Sequence, residues 1–296
     1  MCHLGITLNE ILLVAFYLIM SDINIEGFSE TVPELKSDSR LVVLLGSSEG
    51  IRVPSKRLSK YAGVQKIRRG LFIISGYASI HTAEIQTLER ILFIKSREIP
   101  SVRIITDDIY FTRAFSIVAF SLNNPTAKQK KRIERLVKKS VGIRLRPGVI
   151  LFPLLRSKEQ KRISGSDDKK SLLDSIRFKQ LMFEMGANTF RWSRLRLVNP
   201  EDSSLILNSI EQNLIKDLQA IEMKIRVLRD LIQNPDISIK QLKRRYTVLS
   251  GRFKETKAKW MLARNLWSFD AVKQLKRTYN LLIGTRRAII EREALV

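Results

Sequence analysis

Residues 115–155 read FSIVAFSLNNPTAKQKKRIERLVKKSVGIRLRPGVILFPLL, and this stretch decides the fold class. Ser116–Leu122 is an apolar run of strand length, and Pro125-Thr126 opens a helix over Thr126–Ser140. Val141–Arg146 and Val149–Leu155 read as two strands joined by the turn Pro147-Gly148. On the helix, Lys128, Lys131, Arg132, Arg135 and Lys139 fall on one stripe, at spacings of three, four, seven and eleven from the first. Ile133, Leu136 and Val137 take the opposite face, which can pack on a sheet. Like charges stacked one turn apart weaken a helix unless a polyanion lies over them. Only Glu134 dilutes the stripe, so phosphate contact competes with the plainer reading of a solvated face.

Downstream, a polar loop around Ser164–Asp168 leads to a helix near 170–186, with Gly186 as its stop, and then to a strand over Phe190–Val198. Upstream the same plan recurs. Leu41–Leu45 is a strand, Pro54–Ala62 a basic helical stretch, and Val64–Arg68 and Leu71–Ser75 are strands joined at Arg69-Gly70. Thr82 caps a helix over roughly 83–98, where Ile85, Leu88, Leu92 and Ile99 recur at helical spacing, and Val102–Thr106 closes the unit as a strand. Gly63–Leu71 aligns with Gly142–Val149 across one residue of gap. The expectation is an α+β chain: an extension and disordered lead-in (1–40), two tandem ferredoxin-like βαββαβ domains (41–110 and 115–198), and an antiparallel helical bundle (201–292).

The bundle rests on three seams. Leu207, Ile210, Leu214, Leu218, Ile221, Ile225, Leu228 and Ile232 step by threes and fours up to Asn234-Pro235. Ser238 with Gln241 can box the start of a helix with seam Leu242, Tyr246, Leu249, Phe253 and Trp260. A third helix starts at Ser268 or Asp270 and carries Val272, Leu275, Tyr279, Leu282, Arg286 and Ile289.

Composition narrows the partners. The chain carries 53 Lys+Arg against 29 Asp+Glu, a net charge of +24. Residues 1–40 hold two basic and six acidic side chains, so the remaining 51 basic and 23 acidic residues carry +28. Such a surplus favours nucleic acid, with affinity that falls steeply as salt rises. The single cysteine, Cys2, excludes a disulfide framework and makes a reducing cytoplasm the default. Ile11–Met20 is apolar for ten residues, short of the ~20 needed for a membrane span. Met20-Ser21-Asp22 reads as an alternative start, which makes the first 19 residues a candidate upstream extension.

Ile117-Val118-Ala119-Phe120-Ser121-Leu122, the basic helix, and Gly142 through Pro153 resemble the ferredoxin-like domain shared by the CRISPR-associated adaptation nucleases, the phenylacetate-type repressors and the chromate-resistance regulators. The helices after residue 200, with Trp260 and Ala263-Arg264-Asn265-Leu266-Trp267, resemble the region that follows this domain in the chromate-resistance regulators. The resemblance implies a nucleic-acid-binding protein, DNA favoured over RNA, in which the two copies pair as an intramolecular pseudo-dimer; a homodimer stays open. The nuclease members carry an Asp at the end of the first strand to hold a metal. Here the position reads Ser121-Leu122-Asn123, and in the first copy Leu45-Gly46-Ser47, neither suited to a hard cation. No enzyme, metal or cofactor is therefore expected. The helix-turn-helix of the repressors is also missing from the first copy.

The expected phosphate contacts are Lys56, Arg57, Lys60, Arg68 and Arg69 in the first copy. In the second they are Lys128, Lys131, Arg132, Arg135, Lys139, Arg144 and Arg146, and in the bundle Lys243, Arg244 and Arg245. Trp192, between Arg191 and Arg194, is either a base-stacking platform or a core residue. Asp107-Asp108 and Asp167-Asp168 read as solvated turns more readily than as catalytic pairs, and two histidines with one cysteine make no structural zinc site. Two other classes compete: a helical scaffold for an acidic protein, and a metal-dependent nuclease.

Overall fold

A computed structural model describes residues 33–45, 58, 60–75, 89–96, 109–164 and 172–295. Eight strands form one antiparallel sheet: β1 (Arg40–Leu44), β2 (Val64–Arg68), β3 (Leu71–Ile74), β4 (Arg90–Lys95), β5 (Phe115–Ser121), β6 (Ile143–Arg146), β7 (Val149–Pro153) and β8 (Asn188–Leu197). Their order is β2-β3-β1-β4-β8-β5-β7-β6. The sheet thus splits into two four-stranded halves of matching internal order, joined where β4 meets β8. Among the described residues the helices are α1 (Ile109–Thr112), α2 (Ala127–Lys139), α3 (Ser157–Ser164), α4 (Ser175–Phe183), α5 (Asp202–Gln233), α6 (Ile239–Trp267) and α7 (Val272–Ala294).

Side chains of β1, β3 and β4 alternate between two buried clusters because successive side chains leave opposite faces of a strand. Leu41, Val43, Leu71, Ile73, Ile91 and Phe93 point into the main core. Val42, Leu44, Phe72, Ile74 and Leu92 form a separate cluster under Leu58. A strand buried on both faces reads as a continuous apolar run, and this corrects one expectation. Residues 90–95 are a strand, not part of a helix over 83–98; Ile91-Leu92-Phe93-Ile94 is all apolar and three of its residues are β-branched or aromatic. The expected strand over Val102–Thr106, the helix start at Thr82 and most of the basic stretch 54–62 lie outside the described residues.

β8 joins the halves. Asn188–Trp192 and Leu195 pair with β5, Leu195–Leu197 pair on the other side with β4, and the register against β5 shifts between Trp192 and Leu195, where Arg194 adopts φ +56°. Such a bulge bends a strand and increases its local twist. Directly after it, the buried Asp202 at the start of α5 accepts the Leu92 amide at 2.8 Å, a bond that ties the helical region to β4. Burial pushes the Asp202 carboxyl above its ordinary range, against the opposing pull of that amide and of Arg90.

α5, α6 and α7 run up, down and up through short turns. The α5 seam is buried at Ile206, Ile210, Leu214, Leu218, Ile221, Ile225, Leu228 and Ile232, with Ile206 in the place expected for Leu207. Ser238 accepts the Gln241 amide at the head of α6. The α7 seam is Leu275, Thr278, Leu282, Thr285 and Ile289, whereas Val272 and Tyr279 are about half exposed. The threonines fit because Thr278 donates to Glu222 at 2.7 Å and Thr285 to its own helix at Leu281. Arg292 donates to the carbonyls of Leu231, Ile232, Pro235 and Ile237, which closes the α5 carboxyl end. At the other end of the bundle Trp267 stacks on Phe115 and donates to the Val141 carbonyl at 3.3 Å. Among the described residues no helix is long and apolar enough to cross a membrane.

Candidate nucleic-acid interface

α2 begins with a complete capping box between Thr126 and Gln129 and ends at the buried Ser140. Ile133, Leu136 and Val137 pack against the core, which fixes the helix in rotation and turns the stripe outward. Lys128, Lys131, Arg132 and Arg135 are exposed, together with Lys130 and Lys138, while Lys139 is half buried. The one acid of the helix, Glu134, is taken by Arg144 at 2.8 Å. α2 is therefore a ridge of solvent-facing cations.

Beside the ridge, on α6, sits a cation that is largely buried. Lys138 lies near enough to Lys259 on α6 to help hold the Lys259 ammonium below its usual range; desolvation is the larger cause, and Asp217 pulls the other way. Lys259 also lies 5.4 Å from the Trp260 ring centroid. Arg245, Arg252 and Lys259 are seven residues apart in turn, so they line one stripe roughly 21 Å long. Sequence reading sees Arg245, Arg252 and Lys259 as part of one basic surface of the bundle but not the approach of Lys138 to Lys259.

Three consecutive bundle cations go three ways. Lys243 pairs with Glu293 on α7, Arg244 faces solvent opposite the buried seam, and Arg245 heads the stripe that ends at Lys259. Lys60 is exposed, and Lys56 and Arg57 lie outside the described residues, as do Asp107, Asp108, Asp167 and Asp168. Trp192 is buried and stacks on Phe190, so the platform reading gives way to the core reading. Among the described residues no three His, Cys, Asp or Glu side chains gather into a metal site.

Arg68 and Arg146 have a different environment. Arg68 donates Nη1 to the Gly148 carbonyl at 3.1 Å, and Arg146 donates Nη1 to the Leu44 carbonyl at 2.6 Å. The two hairpins match without a gap. Each has a register shift before the turn, at Lys66/Arg68 and at Arg144/Arg146, and each turns on a glycine at φ +74°, Gly70 and Gly148. Arg68 thus corresponds to Arg146, and each guanidinium lies on the other half's glycine: a Cβ at Gly70 would fall 1.3 Å from Arg146 Nη1, and one at Gly148 would fall 2.1 Å from Arg68 Nη1. Four strands separate β3 from β7 in the sheet, about 24 Å at ordinary spacing. The sheet must fold over on itself for the hairpin tips to touch, and the two arginines close it where no backbone ladder does.

No protein-family model, curated protein or solved structure matches this chain.

Proposed function

We propose that this protein binds nucleic acid through its sugar–phosphate backbone, in a regulatory rather than catalytic role. The carrying observation is the α2 ridge, whose exposed cations are Lys128, Lys130, Lys131, Arg132, Arg135 and Lys138. Fork-shaped arginine donors and lysine point charges on a helix whose one acid is already paired suit successive phosphates. Phosphate contacts position without reading sequence, so the reading assigns affinity and not a recognised site. Within the same proposal, the two sheet halves are tandem ferredoxin-like copies paired as a pseudo-dimer, related to the superfamily of adaptation nucleases, phenylacetate-type repressors and chromate-resistance regulators. The strand orders β4-β1-β3-β2 and β8-β5-β7-β6 and the gap-free match of the hairpins support it. DNA is preferred over RNA on that resemblance alone.

A gel-shift series with duplex DNA and structured RNA across salt tests the reading. Binding at about 50 mM salt that weakens by orders of magnitude towards about 200 mM is expected. Absent binding, or binding indifferent to salt, defeats it.

A scaffold role is the second reading. A groove of about 690 Å³ runs between α5 and α7, flanked by the exposed apolar side chains Ile215 and Met223. Partners that remain bound to the protein after nuclease digestion would favour it.

A further inference from the structure

Arg68, Arg69 and Arg146 gather at the closure of the sheet, and among the described residues no carboxylate pairs with any of them. Arg68 and Arg146 are half buried, and each gives one hydrogen bond to a backbone carbonyl. A guanidinium has five N–H donors, so each keeps donors with no acceptor among the described residues. Arg69 is exposed and makes no hydrogen bond there. Burial and the charges of Arg69 and Arg68 together hold the Arg146 guanidinium below its ordinary range, a sign that the cluster carries unrelieved repulsion.

Closure of the sheet accounts for Arg68 and Arg146 but not for Arg69. At the equivalent position the second half has Pro147, which holds its turn without charge. Arg69 adds repulsion to the clasp and no bond to the fold. A third cation becomes favourable once an anion with several acceptor oxygens sits among the three. The α2 ridge supplies cations along a line, whereas the hairpin tips converge on a point, which suits a single tetrahedral group.

We propose that Arg68, Arg69 and Arg146 form a seat for one phosphate-class oxyanion at the junction of the two sheet halves. The anion is either a phosphodiester of a bound strand or a free phosphate. In both cases it bridges cations of both halves and tightens the closure. The seat is separate from the ridge and does not depend on it.

The test uses the full chain and two arms. In the first, the thermal midpoint is measured in inorganic phosphate and in chloride at equal ionic strength. In the second, binding of a duplex oligonucleotide without terminal phosphate is followed by fluorescence anisotropy. The variant is Arg69→Gln, with Lys66→Gln as an exposed neighbour of equal charge loss and Arg69→Lys as partial rescue; Arg69 has no bond in the fold, so the variant is expected to fold. A phosphate-specific rise of a few degrees that Arg69→Gln abolishes identifies a free phosphate. No such rise, with oligonucleotide affinity about tenfold weaker in Arg69→Gln than in Lys66→Gln, identifies a strand phosphate. The proposal is overturned if Arg69→Gln and Lys66→Gln behave alike in both arms, or if the phosphate rise survives in Arg69→Gln. A Lys131→Gln, Arg135→Gln double variant keeps the phosphate rise even where it loses the oligonucleotide, so failure of the ridge and failure of the seat are distinguishable.

Discussion

Arg135 and Arg146 are eleven residues apart in one basic stretch, yet the folded chain uses them differently. On α2, Arg135 stands in water among other cations, where neighbouring charges interact weakly. At the hairpin tip, Arg146 is half buried, tied to the Leu44 carbonyl and pressed on Gly70. The same side chain is a free cation at one place and a fastener at the other. What separates them is distance from the sheet closure, not residue type or local pattern. Loss of the clasp itself, at Arg68, Arg146 or the two glycines, should therefore cost stability, and substitutions on the ridge should cost affinity.

The largest effect is expected at the glycines. In Gly148→Ala the new Cβ meets Arg68 Nη1 at 2.1 Å and the Phe120 carbonyl oxygen at 2.6 Å, at φ +74°. The backbone oxygen cannot swing aside, so a loss of ~3 kcal/mol or more is expected in chemical denaturation. Gly70→Ala should cost less, because its collision is with the Arg146 side chain, although the positive φ remains. Arg146→Ala leaves the Leu44 carbonyl without that donor and should cost about 1–3 kcal/mol. If all three lie within about 0.5 kcal/mol of the parent chain, the level of ordinary surface substitutions, the tips do not close the sheet.

The hairpins were legible because a short strand, a glycine turn and a second strand announce themselves locally. Val64–Arg68 was placed to the residue, and α2 to within one residue at each end. β4 was not, because Leu88 and Leu92 fall at helical spacing and a run buried on both faces carries no period of its own. On α7 the reading takes Leu275, Leu282 and Ile289 correctly but puts Tyr279 and Arg286 where Thr278 and Thr285 are buried, because threonines count as polar in any pattern. Only the fold supplies Glu222 to accept the first hydroxyl. At the site, the α2 stripe needed nothing but periodicity. The bonds of Arg68 and Arg146 span 80 and 102 residues, and the junction of Lys138 with Lys259 spans two domains of the sequence reading, so no local signal could announce them.

Asp202 sharpens the comparison from the acidic side, because here a buried charge does have partners. Its carboxyl is raised chiefly by burial. A carboxyl raised in the folded chain binds its proton more tightly there than in the unfolded chain. Stability from this group is therefore greatest at low pH and falls as pH rises through the window between its unfolded and folded values. Asp202→Asn keeps an acceptor for the Leu92 amide and removes the titration. Relative to the parent chain, the variant should gain stability as pH rises above about 4, the ordinary carboxyl range, in denaturation series. A difference that stays flat with pH would mean the carboxyl is not desolvated in solution.

The smallest effect on stability and the largest on binding should come from the ridge. Lys131→Gln with Arg135→Gln removes two exposed cations that make no hydrogen bond among the described residues and repel their neighbours one turn away. The thermal midpoint should hold or rise slightly. Each lost phosphate contact should remove about 0.9 from the slope of log affinity against log salt, so the double variant should lose roughly 2. Arg146→Ala should leave that slope within about 1 of the parent value, because only one charge is withdrawn there. An Arg146→Ala slope that falls as far as that of the double variant, with an unchanged thermal midpoint, would erase the division of labour between tip and ridge. A double variant that unfolds at lower temperature with its slope intact would invert it.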